Sequence, residues 1–100
     1  MRVIAISTLK AFWEGSPRYL DAKEPVLAWH QHVMKADWAT PAAVKADFEA
    51  ASILRDGRVV FNINGNKYRL VVWINYAYRI VYIRFIGTHE QYDQIDVHTV

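Results

Sequence analysis

Three stretches between residues 59 and 87 are rich in Val, Ile, Tyr and Phe, and the first two meet at Asn64-Gly65. β-Branched and aromatic side chains suit a pleated, half-buried surface. Asn-Gly supplies the two left-handed positions of a type I′ hairpin turn. The pattern predicts strands over 59–63 and 67–76 joined by a tight turn, and a third strand over 79–87. A two-residue turn at Asn64-Gly65 sets Ile63 opposite Asn66, Phe61 opposite Tyr68 and Val59 opposite Leu70, with Asn62 opposite Lys67 on the other face. A second turn, centred on Ala77-Tyr78, sets Ile74 opposite Val81, Val72 opposite Ile83 and Leu70 opposite Phe85. Side chains alternate between faces along a strand, so these pairings partition the sheet. One face holds Val59, Phe61, Ile63, Tyr68, Leu70, Val72, Ile74, Val81, Ile83 and Phe85. The other holds Asn62, Lys67, Arg69, Val71, Trp73, Tyr82 and Arg84.

The apolar face needs a cover, and the first half of the chain reads as helix. Leu9, Phe12 and Trp13 follow Ser7 at helical spacing, and Gly15-Ser16-Pro17 ends that run. A second helix is expected from Glu24-Pro25, burying Val26, Trp29 and Val33 with Leu27 and Met34. Thr40-Pro41 opens a third, short helix with Val44 and Phe48 one turn apart. Arg2 to Ile6 is apolar enough for a strand. The expected class is α+β: a small antiparallel sheet, two to three N-terminal helices on one face, and a short C-terminal helix after Thr88.

One hundred residues fit a single domain spanning 1–100, and 53% hydrophobic with 22% charged residues is an ordinary globular balance. With no cysteine, a disulfide scaffold, cysteine-held zinc and a thiol nucleophile are excluded. No apolar run reaches membrane-spanning length, and the N-terminal apolar stretch is too short for a signal peptide, so a cytoplasmic location is expected. Net charge is +2, but the charges are segregated. Residues 1–54 balance six basic against six acidic side chains, whereas residues 55–87 set six basic ones against Asp56 alone.

The second sheet face is thus cationic and aromatic. Guanidinium groups grip phosphate oxygens bidentately, and Trp and Tyr stack on bases. A solvated sheet face accounts for Lys67 and Arg69 but leaves Trp73 and Val71 without a reason. A partner surface, nucleic acid or protein, accounts for all four. His30 and His32 point to different sides of a helix, which argues against a metal pair, and the glutamates show no acid–base pairing.

The stretch Arg58-Val59-Val60-Phe61-Asn62-Ile63-Asn64-Gly65-Asn66-Lys67-Tyr68-Arg69-Leu70-Val71-Val72 resembles the signature of the HigB family of type II toxin–antitoxin systems. So do Ile74-Asn75-Tyr76, the segment Ile80-Val81-Tyr82-Ile83-Arg84-Phe85-Ile86-Gly87-Thr88-His89, and Tyr92-Asp93. Nearer the N-terminus, Met1-Arg2-Val3-Ile4, Lys35-Ala36-Asp37-Trp38 and Val44-Lys45-Ala46-Asp47 extend the resemblance over nearly the whole chain. It implies a RelE-like fold and an endoribonuclease that cleaves mRNA, typically on the ribosome, without metal or other cofactor. It also implies a HigA-type helix-turn-helix antitoxin as partner. Position 73, commonly basic in the family, is Trp73 here.

Metal-independent RNA cleavage uses the ribose 2′-hydroxyl as nucleophile, so the protein must move protons and stabilise the phosphorane. Under the resemblance, Arg69 and Arg84 clamp the scissile phosphate and His89 acts as acid or base. Absent it, His89 reads as a residue in the first turn of a helix capped by Thr88. Tyr92, one turn on, either assists proton transfer or stacks on a base, or else closes the core. Lys67 is a weaker catalytic candidate near the hairpin tip. Trp73, Tyr82, Asn62, Arg79 and Asp93 complete the expected RNA contacts. Two other readings share the same sheet: a non-catalytic RNA- or ribosome-binding module, and an inactive antitoxin-binding family member.

Overall fold

A computed structural model describes residues 1–100. A three-residue strand β1 (Arg2–Ile4) leads into helix α1 (Ile6–Glu14). A short 3-10 helix (Pro17–Ala22) runs into α2 (Lys23–Lys35), followed by α3 (Pro41–Asp47). Strands β2 (Ser52–Ile53), β3 (Arg58–Ile63), β4 (Tyr68–Asn75) and β5 (Ile80–Thr88) follow, and α4 (His89–Tyr92) comes last. The sheet order is β1-β5-β4-β3-β2. Strand β1 pairs parallel with β5 and the remaining pairs are antiparallel, so the sheet is mixed by one strand.

The helices cover one face through the residues their spacing marks. Leu9 and Trp13 of α1, Val26, Trp29 and Val33 of α2, and Val44 of α3 are buried together with Val59, Phe61, Ile63, Tyr68, Leu70, Val72, Ile74 and Val81. Trp38 joins them, its indole N–H donating to Asp47 Oδ2 at 2.9 Å. Phe48 and Phe61 meet edge to face with centroids 5.1 Å apart. Thr40 caps α3 by accepting from the Ala43 N–H at 3.3 Å. Two expectations on the helices change. Ser7 lies inside α1 rather than at its cap, which is Ala5. Met34 is 57% exposed because α2 turns it away from the sheet.

The first hairpin shows a different register. Ile63 pairs with Tyr68, Phe61 with Leu70 and Asn62 with Arg69, so the loop holds residues 64–67 rather than two residues. Asn64 (φ 54°) and Gly65 (φ 66°) do take left-handed conformations. The loop is tied to the helical layer by the Lys67–Asp21 ion pair, and the N–H of Lys67 closes the turn on the Asn64 carbonyl at 3.2 Å. A two-residue change preserves the alternation, so the partition of β3 and β4 stands.

In the second hairpin the expected register holds from Ile74↔Val81 to Val72↔Ile83. It then breaks at a β-bulge, where Arg84 is the extra residue. Beyond it Val71 pairs with Phe85, Leu70 with Ile86 and Arg69 with Gly87. A bulge inverts the alternation of everything after it. Phe85, expected in the core opposite Leu70, therefore faces the open side, and Ile86 packs on the core in its place. Arg84 no longer opposes Val71.

Candidate functional site

The open face is ordered in rows across β3, β4 and β5. Arg58, Trp73 and Tyr82 form one row, and Asn62, Arg69 and Gly87 another. Val60 and Val71 lie between them, buried although they belong to the side away from the helices.

At the second row the side chains converge. The Nη2 of Arg69 is 2.8 Å from Nε2 of His89. Its guanidinium carbon is 5.5 Å from the ring centroid of Tyr92, within cation–π range. Asp93 Oδ2 is 3.5 Å from Nδ1 of His89. Arginine has only donors, so Nε2 is the acceptor in this contact and the ring proton belongs on Nδ1, toward Asp93. Two buried polar atoms in this row have no partner: Nε of Arg69 and Oδ1 of Asn62. Buried polar groups are costly to leave unpaired, so both atoms are available to a polar partner.

Helix α4 delivers His89 and Tyr92. Thr88 accepts from the Gln91 N–H at 3.1 Å, while Gln91 Oε1 accepts from the Thr88 N–H at 2.9 Å, a reciprocal cap that fixes the first turn. The N–H of His89 donates to the Lys67 carbonyl at 3.3 Å, docking α4 on the hairpin loop. Gly87 permits this close approach, since a Cβ there would fall 2.6 Å from Phe85 Cζ and 2.7 Å from Gln91 Oε1.

His89 also borders a groove of about 1000 Å³ that runs to Phe12, Arg18, Tyr19 and Lys67. The Lys67 side chain is turned from Arg69 toward Asp21, which also takes the Tyr68 hydroxyl. The hydrogen bond from Lys67, then that from Tyr68, holds the Asp21 carboxyl below the usual carboxylate range. Asp21 in turn raises the Lys67 ammonium above its ordinary value.

The expected residues thus fall into groups. Arg69, His89, Tyr92, Asp93 and Asn62 are brought together. Trp73 and Tyr82 lie at the far row, rings 5.3 Å apart and tilted by 34°, with the indole N–H fixed on the Asp56 carbonyl at 2.8 Å. Arg84, on the bulge, donates from Nε to the Val100 carbonyl at 3.3 Å rather than joining Arg69. Arg79 is not part of the cluster. It occupies the turn at the opposite end of β5, with a left-handed backbone (φ 59°), and its Nε meets Asp37 Oδ1 at 2.6 Å. Lys67 borders the groove but is engaged by Asp21. Sequence reasoning passes over two cations, Arg18 in the groove and Arg58 on the open face. Strand alternation alone places Arg58 on the side of Asn62. His32 bonds Asp47 at 3.2 Å, and no three His, Asp or Glu side chains gather at one point. No helix is long and apolar enough to cross a membrane.

Residues 22–95 match the sequence profile of HigB_toxin, the RelE-like toxic component of a toxin–antitoxin system. The chain is similar to the mRNA interferase toxin HigB of Escherichia coli (strain K12), with 30% identity over 88 residues, covering 86% of this chain and 85% of the relative. Proteins named mRNA interferase HigB from Escherichia coli O157:H7 and Shigella flexneri align to the same extent. With its α+β fold and short C-terminal helix, the chain belongs to the HigB family of RelE-like toxins.

Proposed function

We propose that this chain is an endoribonuclease that cleaves mRNA on the ribosome without a metal ion, using the ribose 2′-hydroxyl as nucleophile. The observation that carries the reading is the contact between Arg69 and the acceptor nitrogen of His89. A phosphate taken up by the Arg69 guanidinium arrives beside an imidazole nitrogen that holds a lone pair. As the phosphate draws the guanidinium off that nitrogen, the freed lone pair takes the 2′-hydroxyl proton while the oxygen attacks phosphorus. Asp93 faces the opposite ring nitrogen and stabilises the imidazolium that forms. Arg69 neutralises charge gathering on the phosphorane, the dominant contribution in such sites. The P–O5′ bond breaks, and the leaving oxygen is protonated by the Tyr92 hydroxyl or by water. The product carries a 2′,3′-cyclic phosphate. Arg84 serves the substrate backbone, and Trp73 and Tyr82 stack on bases.

The partner implied by family membership is an antitoxin, here a HigA-type helix-turn-helix protein, and the shared compartment is the cytoplasm. Purified protein added to a ribosome–mRNA complex tests the catalytic claim. Cleavage is expected to persist when transition metals are removed and the magnesium that holds the ribosome together is kept, and to stop when the cut nucleotide carries a 2′-O-methyl group. His89→Ala or Arg69→Ala is expected to lower the rate by about 10²–10³-fold. Binding without cleavage would reduce the protein to an RNA- or ribosome-binding module.

A further inference from the structure

The hydrogen bonds of Arg58 point beyond the cleavage cluster. Its Nε donates to the Val97 carbonyl at 2.8 Å and its Nη2 to the Val100 carbonyl at 2.9 Å. Arg84, from the bulge two strands away, reaches the same Val100 oxygen. Neither guanidinium meets an Asp or Glu side chain: the side-chain ion pairs of the chain are His32–Asp47, Lys67–Asp21, Arg79–Asp37 and His89–Asp93. Two guanidinium groups converging on one main-chain oxygen, with no acidic side chain beside them, form a pocket that suits an anion, since a phosphate oxygen in that place takes charge-assisted bonds from both.

The occupying segment is lightly held. Residues 96–100 form a turn on Asp96, which accepts from Thr99 and Val100 through its carbonyl and from His98 through its carboxylate. Their hydrogen bonds to the rest of the chain come from Arg58 and Arg84. In the same row as Arg58, Trp73 lies against Tyr82 with its plane set by Asp56. A half-buried, oriented indole beside two cations that no acidic side chain neutralises is a combination suited to single-stranded nucleic acid. This row stands four residues along β4 from Arg69, about 13 Å.

We propose that Arg58 and Arg84, with Trp73 and Tyr82, form a second subsite that grips the RNA strand beyond the cut, and that residues 97–100 fill it until RNA displaces them. The proposal rests on the nuclease reading for its choice of RNA, but its test reads binding rather than cleavage.

The probe is a mixed-sequence single-stranded RNA, 2′-O-methylated throughout, titrated by fluorescence anisotropy at several salt concentrations. Arg58→Gln is expected to weaken binding about tenfold and to lower the salt slope by about 0.7, the loss of one phosphate contact. Arg58→Lys, which keeps the charge, should restore part of the affinity. In the unsubstituted chain, amide NMR signals of Val97, His98, Thr99 and Val100 should move to disordered positions as RNA binds. Affinity and slope indifferent to Arg58, or a tail still ordered with RNA bound, overturn the subsite. So does a variant that keeps RNA but loses a partner protein, which assigns the face to that protein. If no cleavage is found while the Arg58 effects appear, the nuclease reading fails and the subsite stands. If cleavage needs His89 while RNA binding ignores Arg58, the subsite fails and the nuclease reading stands.

Discussion

Arg69 shows how much depends on one side chain's shape. Its guanidinium meets His89 at its edge and Tyr92 in the range for a face contact. A lysine keeps the charge but not the planar fork. Arg69→Lys is therefore expected to lose most of the cleavage rate, on the order of 10²-fold, in a single-turnover assay with RNA near saturation. A rate within twofold of the unsubstituted protein would mean that Arg69 supplies only a diffuse field. Gly57 is the second residue whose identity is constrained. Its φ of +79° suits glycine, and a Cβ would lie 2.9 Å from Trp73 Nε1. Gly57→Ala is expected to destabilise the fold by about 1–3 kcal/mol in urea unfolding and to disturb the Trp73–Asp56 bond. That Asn62 and Arg69 share the open face was legible in the sequence, because alternation alone sorts them there. Alternation puts Arg58 on that face too, but its bonds to Val97 and Val100 were not legible, since those residues lie 39 and 42 positions away along the chain.

Among the elements, the bulge in β5 matters most for the site. It moves Phe85 to the open face, sets Gly87 opposite Arg69, and starts α4 where His89 can reach the guanidinium. Gly87→Ala tests this arrangement. The added methyl meets Phe85 and the Gln91 side chain that closes the α4 cap. The expectation is a loosened α4 and a cleavage rate lowered by about 10²-fold, since small misplacements at a reacting centre cost that much. Wild-type rate together with an unshifted His89 ring signal would show that α4 adapts. The bulge was not legible in advance, because Ile83-Arg84-Phe85-Ile86 alternates acceptably in either register. The first hairpin was legible in type but not in length. Asn64-Gly65 announces left-handed backbone, but the four-residue loop also depends on Asp21, which is 46 residues from Lys67 along the chain.

Across the whole molecule, Asp21 joins the helical layer to the sheet through Lys67, Tyr68 and Asn64. Its carboxyl is held below the value of an unfolded aspartate, about 3.9. The link therefore contributes stability above that unfolded value and loses it as pH falls through the lower folded one. Lys67, raised in the fold, contributes below about pH 10.4 and loses its share as pH rises through the elevated value. Asp21→Asn is expected to lower the urea midpoint at pH 7 and to flatten its decline as pH falls below about 4. Parallel pH profiles for the two proteins would remove Asp21 from the account of acid stability.

The local pattern of side chains was enough to specify the α+β class, the three major strands, the buried faces of the helices, and the sorting of β3 and β4 into an apolar and a cationic side. Those features follow from periods of 2 and 3.6, which neighbouring residues carry among themselves. Tertiary structure alone decided that β1 joins the sheet in parallel, that Arg84 is bulged, that Lys67 answers to Asp21, and that residues 97–100 cross to Arg58. Each of these unites groups far apart in the chain, and a contact closed over such a distance leaves no periodic trace in the residues on either side of it.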